Sequence, residues 1–246
     1  MSRYLAFFYH FLISLGIFAV IAYLILYQWY PDFFFSIDGG WEGMRIIIGV
    51  DLVLGPLLTL IVFKSGKPGL KFDLVAIGTL QAVCLAIGTY IVYIERPLFF
   101  IFDQGHFYSS SKDTFTNFGA QVPDHRRWEK IPARVFVRMP DDPIEEADLR
   151  GELYRQGIPT WTHSPLYESL EANMDLVMEN GSAESELRAY DTENQLDNWL
   201  QEVGGTFAEY AFFPIHSRYR STYMAIRRTD RAIMKLLEVS APIVPQ

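Results

Sequence analysis

Asp51 lies inside an apolar stretch, IIIGVDLVLGPLLTLIVF over residues 46–63, where a carboxylate has no water to face. Burying a charge in hydrocarbon is costly, so such a residue is paired, protonated or functional. Three readings stand open: an interhelical hydrogen-bond anchor, a docking point for a partner helix, or a station for proton or ion exchange. Other groups able to do chemistry are scattered. The five histidines, His10, His106, His125, His163 and His216, show no close ligand spacing, and the single cysteine, Cys84, sits in an apolar run. Neither a zinc cluster nor an intramolecular disulfide is expected. No Gly-x-Ser-x-Gly elbow, phosphate-binding glycine loop or Gly-x-Gly-x-x-Gly fingerprint occurs. Asp141-Asp142 and Glu145-Glu146 stand at a predicted helix start, where carboxylates complement the helix dipole. Arg227-Arg228 reads as a solvated strand edge. No catalytic residue, metal or cofactor is therefore assigned.

Three apolar segments are long enough to cross a bilayer, which takes about 20 helical residues: Tyr4 to about Tyr27, Ile46 to Phe63 and Leu74 to Ile94. The first has too long an apolar run, and no small-x-small site after it, to read as a cleaved signal peptide. Short basic flanks favour the cytoplasm. Arg3 flanks the N-terminus and Lys64, Lys67 and Lys71 fill the second loop, so three crossings carry everything after Glu95 to the far side. Helix two, entered from the outer side, places Asp51 roughly 10 Å deep by helical rise, level with Tyr23 and Thr89. His10 falls nearer the other leaflet, so a direct His10–Asp51 pair is not expected. Gly55 shares the Asp51 face one turn on, and Pro56 should kink the helix. Gly78, Ala82, Ala86 and Thr89 form a small-residue stripe of the kind that lets helices approach closely. Packing within the chain is favoured for it over docking of a partner.

Charge divides the chain. Residues 1–97 balance six Lys/Arg against six Asp/Glu, so the net charge of −8 lies wholly in the remainder. An acidic domain does not attract nucleic acid. Residues 98–246 are long enough for a core of their own. LFFIFDQGHFYS reads as a hairpin, Ala133 to Met139 as a strand, and Pro143 to Gln156 as a helix. Ser164-Pro165 is expected to cap a helix running to about Met178, and Ser185 to Val203 a further amphipathic one. AEYAFFPIHS, STYMAIRRT and AIMKLLEV follow as three strands of a meander. The expected architecture is a three-helix transmembrane domain over residues 1–97, then a soluble α+β domain over 98–246. Its helices are expected on one face of a mainly antiparallel sheet.

The stretch DGGWEGMRIIIGVDLVLGPLLTLIVF resembles the hallmark of the type IV pilin accessory proteins, the TfpX/TfpZ family. The likeness covers Asp38, Gly39, Gly40, Trp41, Gly43, Arg45-Ile46, the run from Gly49 to Leu60, and Phe63. Trp29-Tyr30-Pro31, Asp73 and Glu95-Arg96-Pro97 also look like family features. The resemblance extends over about residues 1–105 and more loosely to Phe212-Phe213-Pro214. It implies a bacterial inner-membrane protein with a periplasmic C-terminal domain. Such a protein is expected to assist the major type IV pilin, a single spanning helix with a periplasmic head, by stabilising it or promoting pilus assembly rather than by catalysing a reaction. A non-enzymatic chaperone is therefore the expected role. Asp51, Gly55, Pro56 and the helix-three stripe are then candidates for helix packing or pilin docking, with membrane lipid as the other contact. A homo-oligomer is a further partner class that this reading admits. The alternative is a membrane-bound enzyme that modifies pilin, such as a glycosyl or acyl transferase.

Overall fold

A computed structural model describes residues 2–241; residue 1 and residues 242–246, the ends of the two expected domains, lie outside the described residues. The chain divides into two compact units, Met1–Arg96 and Pro97–Gln246.

The first unit holds three helices long and apolar enough to cross a membrane: α1 (Arg3–Trp29), α2 (Gly40–Val62) and α3 (Leu70–Ile94). A single helical turn, Phe34–Ile37, lies between the first two. Helix α2 starts six residues before the predicted Ile46. Gly39, at φ 91°, makes a left-handed turn that suits glycine, and the chain coils immediately after it. The first two turns are amphipathic, burying Met44 and Ile47 while Trp41 and Arg45 face outward, which is why a scan for continuous apolarity passes over them. With α2 starting at Gly40, Asp51 stands midway along the span, roughly 17 Å from either end by helical rise. The shallower depth read from the sequence is corrected accordingly.

Just before Pro56, residues Ile48–Leu54 wind as a π-helix. Gly55 N–H bonds to the Val50 carbonyl, five residues back. Proline clashes with the carbonyl four residues before it and offers no N–H, and a widened turn relieves that clash. Helix α1 ends in the same way: Leu24–Trp29 is π-helical, and Tyr30 N–H reaches the Ile25 carbonyl at 2.8 Å just before Pro31.

The second unit is built on a seven-stranded sheet of order β4-β3-β1-β2-β5-β6-β7. Its strands are β1 (Phe99–Asp103), β2 (His106–Ser110), β3 (Ala133–Val137), β4 (Tyr167–Ser169), β5 (Tyr210–His216), β6 (Ser221–Arg227) and β7 (Ile233–Ser240). The sheet is mixed rather than mainly antiparallel: β1 pairs with β3, and β2 with β5, in parallel. Both joints follow long excursions, residues 111–132 and 170–209, and a parallel neighbour needs a crossover of that kind. Helices α4 (Lys112–Asn117), α5 (Pro143–Gln156), α6 (Met174–Glu179), α7 (Glu184–Tyr190) and α8 (Gln195–Val203) occupy these and the remaining connections.

Helix α5 has the predicted bounds because Asp142 caps it, accepting from the N–H groups of Ile144 and Glu145, while Gly157 ends it at φ 69°. Of the helix expected from Ser164 to about Met178, only the last part forms, as α6 (Met174–Glu179). Pro165 opens only a 3₁₀ turn, and Tyr167–Ser169 then leaves it to pair with β3. The Ser185–Val203 helix is two, broken between Tyr190 and Gln195, where Asp191 accepts from the N–H groups of Gln195 and Leu196. Burial is not confined to one face of the sheet either. All five residues of β1 and six of seven in β5 are buried, as continuous apolar runs dictate.

Candidate functional site

A polar cluster links the three helices of the first unit at the level of Asp51. Ser14 on α1, Asp51 on α2 and Gln81 on α3 are each the twelfth residue of their helix, so all three sit near mid-span. Ser14 and Asp51 are 2% and 1% exposed, so their polar atoms can find partners only inside the protein. Gln81 is the hub. Its Nε2 donates to Asp51 Oδ1, to the Asp51 carbonyl at 3.1 Å and to Ser14 Oγ at 3.1 Å. Ser14 Oγ donates to Asp51 Oδ1 at 3.3 Å. On its other side, Gln81 Oε1 lies 2.9 Å from His10 Nε2, and His10 Nδ1 lies 2.6 Å from Thr59 Oγ1. A carbonyl oxygen only accepts, so His10 Nε2 carries the proton; in the neutral ring, Thr59 then donates to Nδ1.

The motif residues explain one another. The π-helical pattern of α2 would assign the Asp51 carbonyl to the N–H five residues on, and that residue is Pro56. Gln81 supplies the missing donor. It can do so only because residue 55 is glycine: a Cβ there would stand 2.1 Å from Gln81 Oε1 and 2.5 Å from its Cδ. Asp51 Oδ2 is buried without a hydrogen-bond partner. Arg45 lies above the Trp41 ring at 5.9 Å and 3.8 Å from Glu42; Asp38 is buried at the helix entry.

The expected partners of Asp51 differ from those found. Tyr23 is 55% exposed on the outside of α1, and Thr89 Oγ1 is buried with no partner. Both stand level with Asp51 only on a helix that starts at Ile46; the start at Gly40 shifts that level. His10 makes no direct bond to Asp51, as expected, but Gln81 joins them. One signal pointed to this site: Ser14 and Gln81 are isolated polar residues at the centres of their apolar segments. The helix-three stripe does not pack within the unit. Gly78, Ala82 and Ala86 are exposed, and nothing lies within 4 Å of a Cβ built on Gly78. Ala82, Ala86 and Thr89 instead line an open groove of about 480 Å³ with Ile21, Trp29 and Tyr93.

The second unit brings together His106 and His216, which the sequence separates by 110 residues: Nδ1 of the first lies 3.0 Å from Nε2 of the second. His216 Nδ1 is 3.3 Å from Ser221 Oγ. Burial, and then the neighbouring His106, push His216 down to about 4; burial also lowers His106, against the pull of Glu186. Between the ordinary histidine value of 6.5 and about 4, the unfolded chain binds a proton at His216 that the folded chain refuses. Stability therefore falls as pH falls through that window. The melting midpoint of the wild type is expected to drop more steeply between pH 7 and 4.5 than that of His216→Gln; parallel curves would contradict this. Burial raises Asp103, partly offset by a hydrogen bond from the Thr160 hydroxyl. Arg228 is exposed, as expected of a solvated residue, and it also donates to the carbonyls of Tyr210 and Met178. Among the described residues, no three or more His, Cys, Asp or Glu gather where a metal ion could be held.

No protein-family model and no solved structure matches the chain. It is 25% identical over 240 residues, 94% of its own length and 93% of the relative's, to the fimbrial assembly protein of serogroup I from Dichelobacter nodosus. The fimbrial assembly protein of serogroups C1 and C2 from the same organism is 36% identical over 97 residues, 73% of that relative. The serogroup E1 protein is 34% identical over 97 residues, 37% of its length.

Proposed function

This chain belongs to the family of fimbrial assembly proteins, and from that membership we propose that it is a non-enzymatic accessory protein of the bacterial inner membrane, of the TfpX/TfpZ type, that binds and stabilises a type IV pilin before assembly. Its N-terminus is cytoplasmic and its second unit periplasmic on this reading, as the lysines of the second loop favour. A pilin awaiting assembly exposes one apolar spanning helix, and the groove beside α3 offers it a seat. The observation that carries the reading is that Ala82 and Ala86 are left exposed by the chain's own packing. Small side chains there let a second helix approach closely, which in lipid is a main source of helix association.

The groove also decides where to probe. Phe213 is fully buried and Gly55 faces Gln81, so a photo-crosslinker belongs at Ala82 or Ala86. Crosslinks from Ala82 to pilin are expected in membranes, and Ala82→Trp, which fills the groove, should lower cellular pilin severalfold while leaving the accessory protein at its normal level. Unchanged pilin and normal piliation, in that variant and in a deletion strain, would sink the proposal. An intact-mass comparison of pilin with and without this protein tests the non-enzymatic part: a changed mass would mean modification.

A further inference from the structure

We propose that His106 and His216 form a divalent transition-metal site, a two-imidazole clamp across the parallel joint of β2 and β5 that takes Zn²⁺, Ni²⁺ or Cu²⁺. The inference is independent of the pilin reading. Two nitrogens bound tetrahedrally to one zinc at about 2.0–2.1 Å lie roughly 3.3 Å apart. The facing nitrogens here are 3.0 Å apart, so a shift of a few tenths of an ångström admits the ion between them.

The tautomers suit the exchange. His216 Nδ1 stands beside Ser221 Oγ at 3.3 Å; with its proton on Nδ1, given to that hydroxyl, Nε2 presents a lone pair. Such an outer partner is what fixes a ligating imidazole. His106 Nδ1–H then donates to His216 Nε2 in the metal-free pair. When the ion enters, that proton moves to His106 Nε2, both facing nitrogens donate lone pairs, and no proton is lost overall. The rings are also held in place. Tyr108 packs on His216 with centroids 5.2 Å apart, and Trp161 stacks on Tyr108 at 4.6 Å, 5° from parallel. The Glu186 carboxylate adds negative potential near His106, which favours a cation.

Solvent completes the coordination, since no third His, Cys, Asp or Glu gathers there among the described residues. Imidazole donors select Cu²⁺, Ni²⁺ and Zn²⁺ over Mg²⁺ and Ca²⁺. The clamp acts on a short seam: β2 and β5 pair at only two positions, Phe107 with Ile215 and Tyr108 with His216. A ligand that binds only the folded chain stabilises it, so the ion should tighten the joint between the two parts of the sheet.

The test uses the full chain in detergent, free of any tag and stripped with chelator. Calorimetric titration with ZnCl₂ and NiCl₂ is expected to give one site with a dissociation constant on the order of 10 µM, MgCl₂ no binding, and ZnCl₂ a raised melting midpoint. His106→Gln and His216→Gln should each weaken zinc at least tenfold, while His163→Gln leaves it unchanged. Should the variants fold poorly, Cu²⁺ on the wild type decides: its electron paramagnetic resonance spectrum should show coupling to two nitrogens. One-nitrogen coupling, no binding below about 1 mM, or unchanged affinity in folded His106→Gln and His216→Gln would overturn the proposal.

Discussion

Gly55→Ala is expected to destabilise the three-helix unit by about 2 kcal/mol, and to become neutral or stabilising once Gln81 is alanine. In an ordinary helix interior the added methyl would help by about 1 kcal/mol. Here it would sit 2.1 Å from Gln81 Oε1 and 2.6 Å from Nε2. That amide cannot simply swing away, because its two ends are held by His10, Ser14 and Asp51. Overpacking of this kind costs about 1–3 kcal/mol, and each interhelical hydrogen bond lost in a membrane adds about 0.6 kcal/mol. Gln81→Ala removes the obstacle and leaves only the helix-propensity gain, so the sign of the Gly55→Ala effect should reverse. A four-variant cycle, followed by unfolding in mixed micelles, measures the coupling, which should reach about 3 kcal/mol. Additive effects would mean that Gly55 is glycine for a reason other than Gln81.

That coupling shows which parts of the molecule could be read from the chain. The spans are legible because hydrocarbon demands about 20 apolar residues, and α5 because its cap, acids and terminal glycine agree. The entry to α2 is hidden because its first two turns carry Glu42 and Arg45, and the hydrogen bonds that begin a helix leave no mark on hydropathy. That one displacement carries Asp51 to mid-span, level with Ser14 and Gln81 rather than with Tyr23 and Thr89. The sheet order was out of reach for a different reason: the parallel pairing of β2 with β5 joins residues about a hundred apart in sequence, and strand patterns carry local information only. His106 and His216 meet through that same joint, so their pairing could not be read from spacing. Within the site, Asp51, Gly55 and Pro56 were visible as an unusual run, but their purpose lies in Gln81, on another helix.

Gln81→Leu is expected to cost more than Asp51→Asn, by about 2 kcal/mol in stability, and to lower pilin where Asp51→Asn does not. Asparagine keeps the oxygen that accepts from Gln81 Nε2 and Ser14 Oγ, and its amide replaces Oδ2, which has no partner to lose. The change therefore removes the ability to ionise while leaving the bonds in place. Leucine at residue 81 is close in volume, so little cavity forms. It strips the donor from the Asp51 carbonyl and from Oδ1, and the acceptor from His10 Nε2. Several polar atoms then lie unsatisfied between helices, where water cannot reach them. If Asp51 is a hydrogen-bond anchor, Asp51→Asn stays within about 1 kcal/mol of wild type and piliation is normal. If Asp51→Asn instead abolishes piliation while the protein remains folded and abundant, the carboxylate acts through its charge or its proton, and the anchor reading fails.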